Sequence, residues 1–419
     1  MSTTSNGLYG VLTVIIKTLG VFFVLKLASS MNGPEGFVDF SNYQNVILII
    51  ASIGACCNTA MIRFSAEKDE YTVRSIFIFT ILISLFLTLF SYCIFHNMNI
   101  SVFNDDNEKI YAIILSVGVF FFSLNTVFLA YFNGKSEIKI LFILNSILIL
   151  IQVIFITLFG KQLGLVGIIL SIPFTQIFGF SFVFFLYVKN KAKKNYSIFN
   201  VCKEDIRIAV TAERYRSYIA MYLMSVTVIP VCQLTMRRII SERIDTFNAG
   251  IWQSMMKLSE SYMAILAMLI SVVLLPLVIK EKSFLKRKKN ILLSIVIVFF
   301  SAFLSSIFLL LLRKEIFSLV FTPDFIPGKY TYMYFLLGDI IRSISWVMAV
   351  FFAVYGMAKK SIISDIMFFF VLILSTYLAS KYSVNIERIS VCYLFANVIY
   401  FFVVYYMTNS YWFKGNDES

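Results

Sequence analysis

The sequence contains little charge and a single histidine. Charged residues make up 14% of the chain and hydrophobic residues 59%, and the mean hydropathy is +0.85. Soluble domains carry about a quarter charged residues, so this composition excludes an ordinary soluble protein. His96 stands at the end of an apolar segment without another imidazole. It indicates neither a metal site nor acyl-transfer chemistry.

The motifs of several enzyme classes are also missing. The sequence has no glycine-rich phosphate loop, no H-E-x-x-H and no nucleophile elbow. We therefore expect no ATP hydrolysis, no enzymatic activity and no cofactor, and transport would draw on an ion gradient or on the substrate's own gradient. The six cysteines include no C-x-x-C pair, which favours small buried side chains over disulfides or metal ligands.

Long apolar segments dominate what is present. Proline and glycine are scarce, and the ten-residue alternating segments of a membrane barrel are absent. A helix needs about 20 apolar residues to cross the hydrocarbon layer. The first segment is too long for a signal peptide. We predict an all-α polytopic membrane protein whose twelve transmembrane helices form two six-helix lobes around a central cavity. The segments are 9–30, 38–62, 75–95, 111–132, 139–159, 164–188, 218–236, 248–279, 291–312, 332–358, 361–380 and 389–407.

The net charge of +13 is unevenly distributed between the loops. With residue 1 in the cytoplasm, 22 Lys and Arg fall in cytoplasmic loops and 10 in opposite loops. This excess follows the positive-inside rule and places both termini in the cytoplasm. The basicity therefore indicates orientation, and no nucleic-acid partner is expected.

One long basic connection divides the twelve segments equally. The predicted domains are an N-terminal lobe at 1–190, a cytoplasmic linker at 191–216, a C-terminal lobe at 217–412 and a tail at 413–419. Equal halves of this kind are typical of transporters whose substrate site lies between two lobes. We interpret the linker as a solvated tether attracted to anionic lipid.

Two pairs of opposite charges lie inside apolar segments. Lys257 and Glu260 share a helix face at i, i+3, and Asp339 and Arg342 have the same spacing. Charges at this depth are rare and usually mark transport pathways. The alternative is that each pair only neutralises itself, with Gly338 allowing close helix contact. We favour a functional role, with Asp339 and Glu260 as coupling or cavity acids.

Three more side chains complete the candidate set. Lys17 lies deep in the first segment and is a candidate cavity cation, as are Lys257 and Arg342. Arg237 ends the seventh segment, where a topological or lipid-headgroup role is equally consistent with its position. Trp252 is expected to anchor the eighth segment at the membrane interface.

The tract 236–276 contains four motifs: Met236-Arg237-Arg238, Gly250-Ile251-Trp252-Gln253, Glu260-Ser261-Tyr262 and Ser271-Val272-Val273-Leu274-Leu275-Pro276. With these motifs the tract resembles the Wzx-type polysaccharide flippases, and within them the enterobacterial lipid III flippase branch. Leu337-Gly338-Asp339, Gly33-Pro34-Glu35-Gly36 and Gly164-Leu165-Val166-Gly167 are similar to the same family. The glycine motifs are shared more widely across the multidrug/oligosaccharidyl-lipid/polysaccharide exporter superfamily.

The resemblance implies an inner-membrane protein of a Gram-negative bacterium. Such proteins are thought to move undecaprenyl-pyrophosphate-linked oligosaccharide to the periplasmic leaflet by alternating access. It implies further partners in membrane lipids and in polymerase and chain-length proteins, with a monomer expected. The charges at Lys17, Arg237, Glu260 and Asp339 match the family, and Arg342 replaces a lysine.

The chain departs from the family pattern at two places. Lys257 stands where the family has a small polar residue, and Asn385-Ile386-Glu387-Arg388 lacks the expected Gly-x-x-Gly entry. The expected function is a flippase for an O-antigen repeat unit or a related surface glycan. The alternatives are an ion-coupled multidrug exporter of the same superfamily, which predicts an acid-dominated cavity, and a membrane glycan polymerase or acyltransferase.

Overall fold

The described part of the protein is built from helices. The computed structural model describes residues 3–97, 107–192, 216–270, 284–354, 357–382 and 385–413, and within these ranges no strand occurs. Ten helices are long and two, α2 and α9, are short. They are α1 (Thr3–Gly54), α2 (Asn58–Glu67), α3 (Glu70–Asn97), α4 (Glu108–Gly134), α5 (Ile138–Ala192), α6 (Arg216–Arg243), α7 (Thr246–Leu269), α8 (Phe284–Leu311), α9 (Arg313–Val320), α10 (Lys329–Val354), α11 (Ala358–Tyr382) and α12 (Ile386–Phe413). A 3₁₀ turn, Pro323–Phe325, follows α9.

Glycine kinks divide two of the long helices. Gly33 in α1 has φ 62° and Gly164 in α5 has φ 59°, a left-handed backbone that residues with a β-carbon rarely adopt. Proline follows Gly33 and supplies no backbone N–H to continue the helix. Each kinked helix therefore comprises two spans, 3–32 with 34–54 and 138–163 with 165–192.

Counted this way, the described residues form twelve helices of membrane-spanning length. By length and composition, eight of the described helices are apolar enough to cross a membrane. Two of these eight are the kinked helices, and α6 and α7 complete the set of twelve. The predicted all-α membrane fold is confirmed.

Local hydrogen bonding explains where α3 begins. Lys68 ends α2 in the left-handed region at φ 64°. The Asp69 carboxylate then accepts hydrogen bonds from the Thr72 backbone N–H at 3.1 Å and from its hydroxyl at 2.7 Å. Aspartate at this position satisfies amide groups that have no partner within the helix.

The chain forms two compact units. Unit 1 comprises Met1–Asn32 and Asp39–Val231, and unit 2 comprises Gly33–Val38 and Cys232–Ser419. The division therefore lies within α6. Residues 193–215 of the predicted linker and 414–419 of the predicted tail lie outside the described residues. The predicted domain boundaries stay predictions.

Unit 1 has an aromatic core between α3, α4 and α5. The Phe77 and Phe128 rings are 4.7 Å apart between centroids, and Tyr187 lies 4.9 Å from Phe128. Tyr131 lies 5.2 Å from Tyr187. Close packing of this kind holds membrane helices together, because lipid tails provide little hydrophobic driving force between them.

In unit 2, α10 and α12 pack closely at Gly338. A β-carbon on Gly338 would lie 2.8 Å from the Tyr393 ring, so a larger residue would force the helices apart. The Phe335 and Tyr393 rings stack at 4.6 Å with an angle of 9°. Trp252 packs edge-on against Phe335 at 5.5 Å and is 2% exposed. The expected interfacial anchor is therefore wrong: Trp252 is a core residue of unit 2.

Candidate functional site

Unit 1 contains a cavity of about 430 Å³ that is lined by both apolar and polar side chains. Residues from α1, α2, α4 and α5 line it, and Lys17 is the only charged one among them. Of the described residues, no carboxylate acts on Lys17. The full lining is Thr13, Lys17, Asn58, Ile62, Thr126, Leu129, Ala130, Asn133, Ile138, Leu141 and Asn145. The cavity therefore presents one exposed cation, three amides and two hydroxyls.

The polar groups around Lys17 can both donate and accept hydrogen bonds. Thr13 and Thr126 donate their hydroxyl hydrogens to backbone carbonyls of their own helices, at 2.7 and 2.9 Å, which leaves their oxygen lone pairs available. The Asn58 side-chain oxygen is buried without a hydrogen-bond partner in the described structure. Such a lining suits a ligand that is anionic and rich in hydroxyl groups.

Unit 2 places Asp339 inside a cage of hydroxyls. Its carboxylate is 1% exposed and accepts hydrogen bonds from Ser259 at 2.7 Å, from Tyr393 at 2.6 Å and from Tyr262. Ser259 and Tyr262 lie on α7 and Tyr393 lies on α12. Burial of a carboxylate is costly unless it is hydrogen-bonded. The three donors from two neighbouring helices fulfil that condition.

Arg342, one turn after Asp339 on α10, is connected to it indirectly. Its Nη1 donates to the Tyr393 hydroxyl over 3.4 Å, and the same hydroxyl donates to Asp339. The guanidinium carbon lies 5.1 Å from the Trp346 ring and 5.3 Å from the Phe368 ring, within cation–π range. The predicted Asp339–Arg342 pair is therefore bridged by the Tyr393 hydroxyl, with no direct ion pair between the two side chains in the described structure.

Arg237 of α6 and Lys257 of α7 each have a partner within unit 2. Arg237 is 1% exposed and donates to the Gln253 side-chain oxygen at 2.7 Å. Lys257 lies 3.3 Å from Glu260, with side-chain exposures of 16% and 40%. Glu260 also accepts a hydrogen bond from Gln233. These contacts enclose Arg237 in protein and offset the charge of Lys257.

A further carboxylate lies in α11. Asp365 is exposed and accepts a hydrogen bond from the Tyr400 hydroxyl of α12 at 3.1 Å. Arg342 interacts electrostatically with both Asp365 and Tyr400. Unit 2 thus surrounds Arg342 with two aspartates, each bonded to a tyrosine of α12.

Comparison with solved structures defines the fold of this arrangement. A structure described as the inward-facing conformation of a multidrug resistance MATE family transporter of the MOP superfamily matches with TM-score 0.73. It is 14% identical, and the match covers 95% of this chain and 97% of that chain. The chain shares the MATE fold. No family model matches the sequence, and no curated protein matches it significantly.

Two other structures with the MATE fold extend the comparison. An outward-facing MATE transporter has TM-score 0.63 at 13% identity, with 95% of this chain and 96% of that chain covered. A MOP superfamily transporter from Pyrococcus furiosus has TM-score 0.60 at 13% identity, with coverage of 95% and 94%. That protein is described as having a binding pocket of reverse polarity that suggests a different function.

Within the MATE fold, the predicted site residues divide between the two units. Lys17 belongs to unit 1, whereas Arg237, Lys257, Glu260, Asp339 and Arg342 belong to unit 2. Sequence analysis missed Asp365, although an acid standing alone within an apolar segment is a usable signal. It also gave no role to Tyr393 or Tyr400. Tyrosine is common in this chain, and only the folded structure shows which hydroxyls meet a carboxylate.

Proposed function

We propose that the chain is a flippase that moves an anionic lipid-linked oligosaccharide from the cytoplasmic to the periplasmic leaflet of the bacterial inner membrane. The observation that supports this most directly is the unit 1 cavity, where Lys17 is the only charged residue of the described lining. A lysine ammonium is a common point-charge partner of phosphate. The surrounding amides and hydroxyls suit the sugars attached to a pyrophosphate.

The location of the cavity within unit 1 is consistent with loading from the cytoplasm. Its lining includes Asn133 at the end of α4 and Ile138 at the start of α5. The connection between these two helices is one that the positive-inside pattern assigns to the cytoplasm. A head group in the cytoplasmic leaflet would therefore meet the cavity near its own side of the membrane.

The other candidate cations support the proposal less directly. Lys257 pairs with Glu260 at 3.3 Å, Arg237 donates to Gln253, and Arg342 is surrounded by acid–tyrosine pairs. Each already offsets or satisfies a neighbour. No carboxylate among the described residues acts on Lys17. An arriving phosphate would therefore not displace an existing partner.

A multidrug exporter is the second candidate, because the similar structures include multidrug transporters. A cationic drug needs an accessible acid, and the unit 1 cavity has none among its lining residues. The structure from Pyrococcus furiosus is described as having a binding pocket of reverse polarity. Proteins with this fold therefore differ in the polarity of their binding pockets. No contact in the described structure favours the polymerase or acyltransferase alternative.

Complementation tests the proposal. A strain deleted for this gene receives the wild-type chain, Lys17→Ala, Lys17→Arg or Lys161→Ala, and surface glycan is scored by lipopolysaccharide ladder alongside membrane protein levels. Lys161 is a matched control because it is an exposed lysine outside the cavity lining. We expect Lys17→Ala to abolish the ladder, and the arginine and control variants to retain it. A normal ladder in Lys17→Ala defeats the proposal, and lost drug resistance with an intact ladder supports the exporter.

A further inference from the structure

The second acid of unit 2, Asp365, has a different environment from Asp339. Asp339 is 1% exposed and accepts three hydroxyl hydrogen bonds. Asp365 is exposed and has one hydroxyl donor, Tyr400, at 3.1 Å. Hydrogen bonds to a carboxylate favour its ionised form. The enclosed acid thus has three hydroxyl donors to its carboxylate, and the exposed acid has one.

Two tyrosines on one face of α12 connect these acids to a shared cation. Tyr393 and Tyr400 are seven residues apart, or about two helical turns, so they share a face. Tyr393 donates to Asp339 and Tyr400 donates to Asp365. Arg342 donates to Tyr393 and acts electrostatically on Tyr400. The five side chains form one connected cluster of three helices.

The cluster has one more acid than base. With every group ionised, Asp339, Asp365 and Arg342 together carry one excess negative charge. An uncompensated charge inside a membrane protein is unfavourable, and one bound proton brings the cluster to neutrality. Among the described residues, the groups that act on Asp365 from other helices are Tyr400 of α12 and Arg342 of α10. On its own helix, Lys360 donates to the Met407 carbonyl at 3.4 Å.

A buried side-chain oxygen beside the cluster has no hydrogen-bond partner among the described residues. Asn397 lies between the two tyrosines on α12, is 0% exposed and faces α10, where a Gly338 β-carbon would lie 3.1 Å from its Nδ2. Its Nδ2 donates to the Tyr393 carbonyl, and its Oδ1 has no hydrogen-bond partner in the described structure. A buried acceptor left open next to a hydroxyl network is consistent with a network that exchanges hydrogens.

We propose that Asp365 holds the exchangeable proton of unit 2, while Asp339 remains ionised and Arg342 balances its charge. Protonation converts the Asp365 carboxylate to a carboxyl group with a proton taken from water, and leaves Asp339 and Arg342 as a neutral pair bridged by Tyr393. Loss of that proton to water leaves two carboxylates that compete for Arg342. The inference rests on the proposed transport function only for the role of this proton, which would be to couple proton movement to transport.

Carbodiimide labelling tests the location of the proton. Dicyclohexylcarbodiimide adds to protonated carboxyl groups in apolar surroundings, where the carboxyl proton transfers to nitrogen and the oxygen bonds to carbon before rearrangement to a stable acylurea. Purified wild-type protein in lipid vesicles is labelled from pH 5 to 9 and mapped by peptide mass spectrometry. We expect an adduct at Asp365 that increases as the pH falls. Glu260 is the internal control, because its ion pair with Lys257 should keep it unlabelled.

Three variants separate charge sharing from simple exposure. Asp339→Asn removes the competing negative charge, so labelling of Asp365 should require a lower pH. Arg342→Gln removes the cation and should extend labelling to higher pH, and Tyr400→Phe should do the same by about one pH unit. An adduct on Asp339 with Asp365 unmodified, pH-independent labelling of Asp365, or an Asp339→Asn profile equal to wild type would overturn the inference. No glycan is present, so these results are independent of the complementation outcome.

Discussion

The unit 1 cavity and the unit 2 cluster arrange their charges in opposite ways. In unit 1, Lys17 is the single charged residue in the described lining of an open cavity. Unit 2 surrounds its cation, Arg342, with two acids and aromatic rings. An unpaired cation is suited to binding an anion, whereas a nearly balanced cluster is suited to changing its own charge. Under the two proposals made above, unit 1 recognises the substrate and unit 2 exchanges a proton.

The largest expected effect is a difference in pyrophosphate binding between variants of Lys17 and variants of Arg342. We expect Lys17→Ala to weaken binding of inorganic pyrophosphate by about 10–100-fold, the worth of one charge-assisted hydrogen bond. Arg342→Ala should change it less than about threefold, because Arg342 is already surrounded by acids. Isothermal titration calorimetry on purified protein measures both, with Lys161→Ala as the control. An equal loss in the two variants would remove the distinction between the units.

Replacing the buried acid should affect stability without affecting the cavity. Asp339→Asn keeps the size of the side chain but loses the charge that three hydroxyls stabilise. We expect a loss of about 2 kcal/mol in stability and unchanged pyrophosphate binding. Thermal unfolding in detergent reports the first quantity and calorimetry the second. Weaker pyrophosphate binding in this variant would mean that the two units do not act separately.

Removing one hydroxyl should have a smaller effect. Tyr393→Phe retains the stacking on Phe335 at 4.6 Å and deletes the bridge between Asp339 and Arg342. We expect destabilisation of about 1 kcal/mol, measured by the same thermal assay. If Tyr393→Phe lowers stability as much as Asp339→Asn, the bridge is the principal support of the carboxylate, and the other two donors contribute little.

The smallest effect is expected at an exposed ion pair outside both regions. Arg238 and Glu242 lie 2.7 Å apart, with side-chain exposures of 79% and 58%. Arg238→Ala should change stability by no more than about 0.5 kcal/mol and leave glycan display intact. This sets the baseline for removing a charge that is not enclosed. A loss of more than about 1 kcal/mol would show that the stability assay responds to charge removal in general.

Sequence reasoning anticipated the fold better than the site. Gly33 and Gly164 stood out in the sequence, and both have the positive φ that divides a long helix into two spans. The length of an apolar segment depends only on neighbouring residues, so twelve spans could be counted directly from the sequence. The Ser259 contact with Asp339 joins residues 80 positions apart. No local pattern predicts which of many serines and tyrosines will meet a given acid.

The same limit explains Trp252 and the charge pairs. A tryptophan near the end of an apolar segment is common at membrane interfaces, but the partner rings that bury it, Phe335 and Tyr393, are distant in sequence. The i, i+3 spacing placed Asp339 and Arg342 on one face, as observed. It could not reveal that Tyr393 lies between them.

The short segment after the first kink has a consequence for biosynthesis. Residues 33–38 belong to unit 2, where Phe37 packs against Phe321 and Phe325 at 5.7 and 5.4 Å. The ribosome makes Phe37 roughly 290 residues before Phe325, or about 15–60 s earlier at common elongation rates. During that interval the two spans of α1 are already synthesised, but Phe321 and Phe325 are not. Phe37 therefore lacks its two aromatic contacts until most of the protein has been translated.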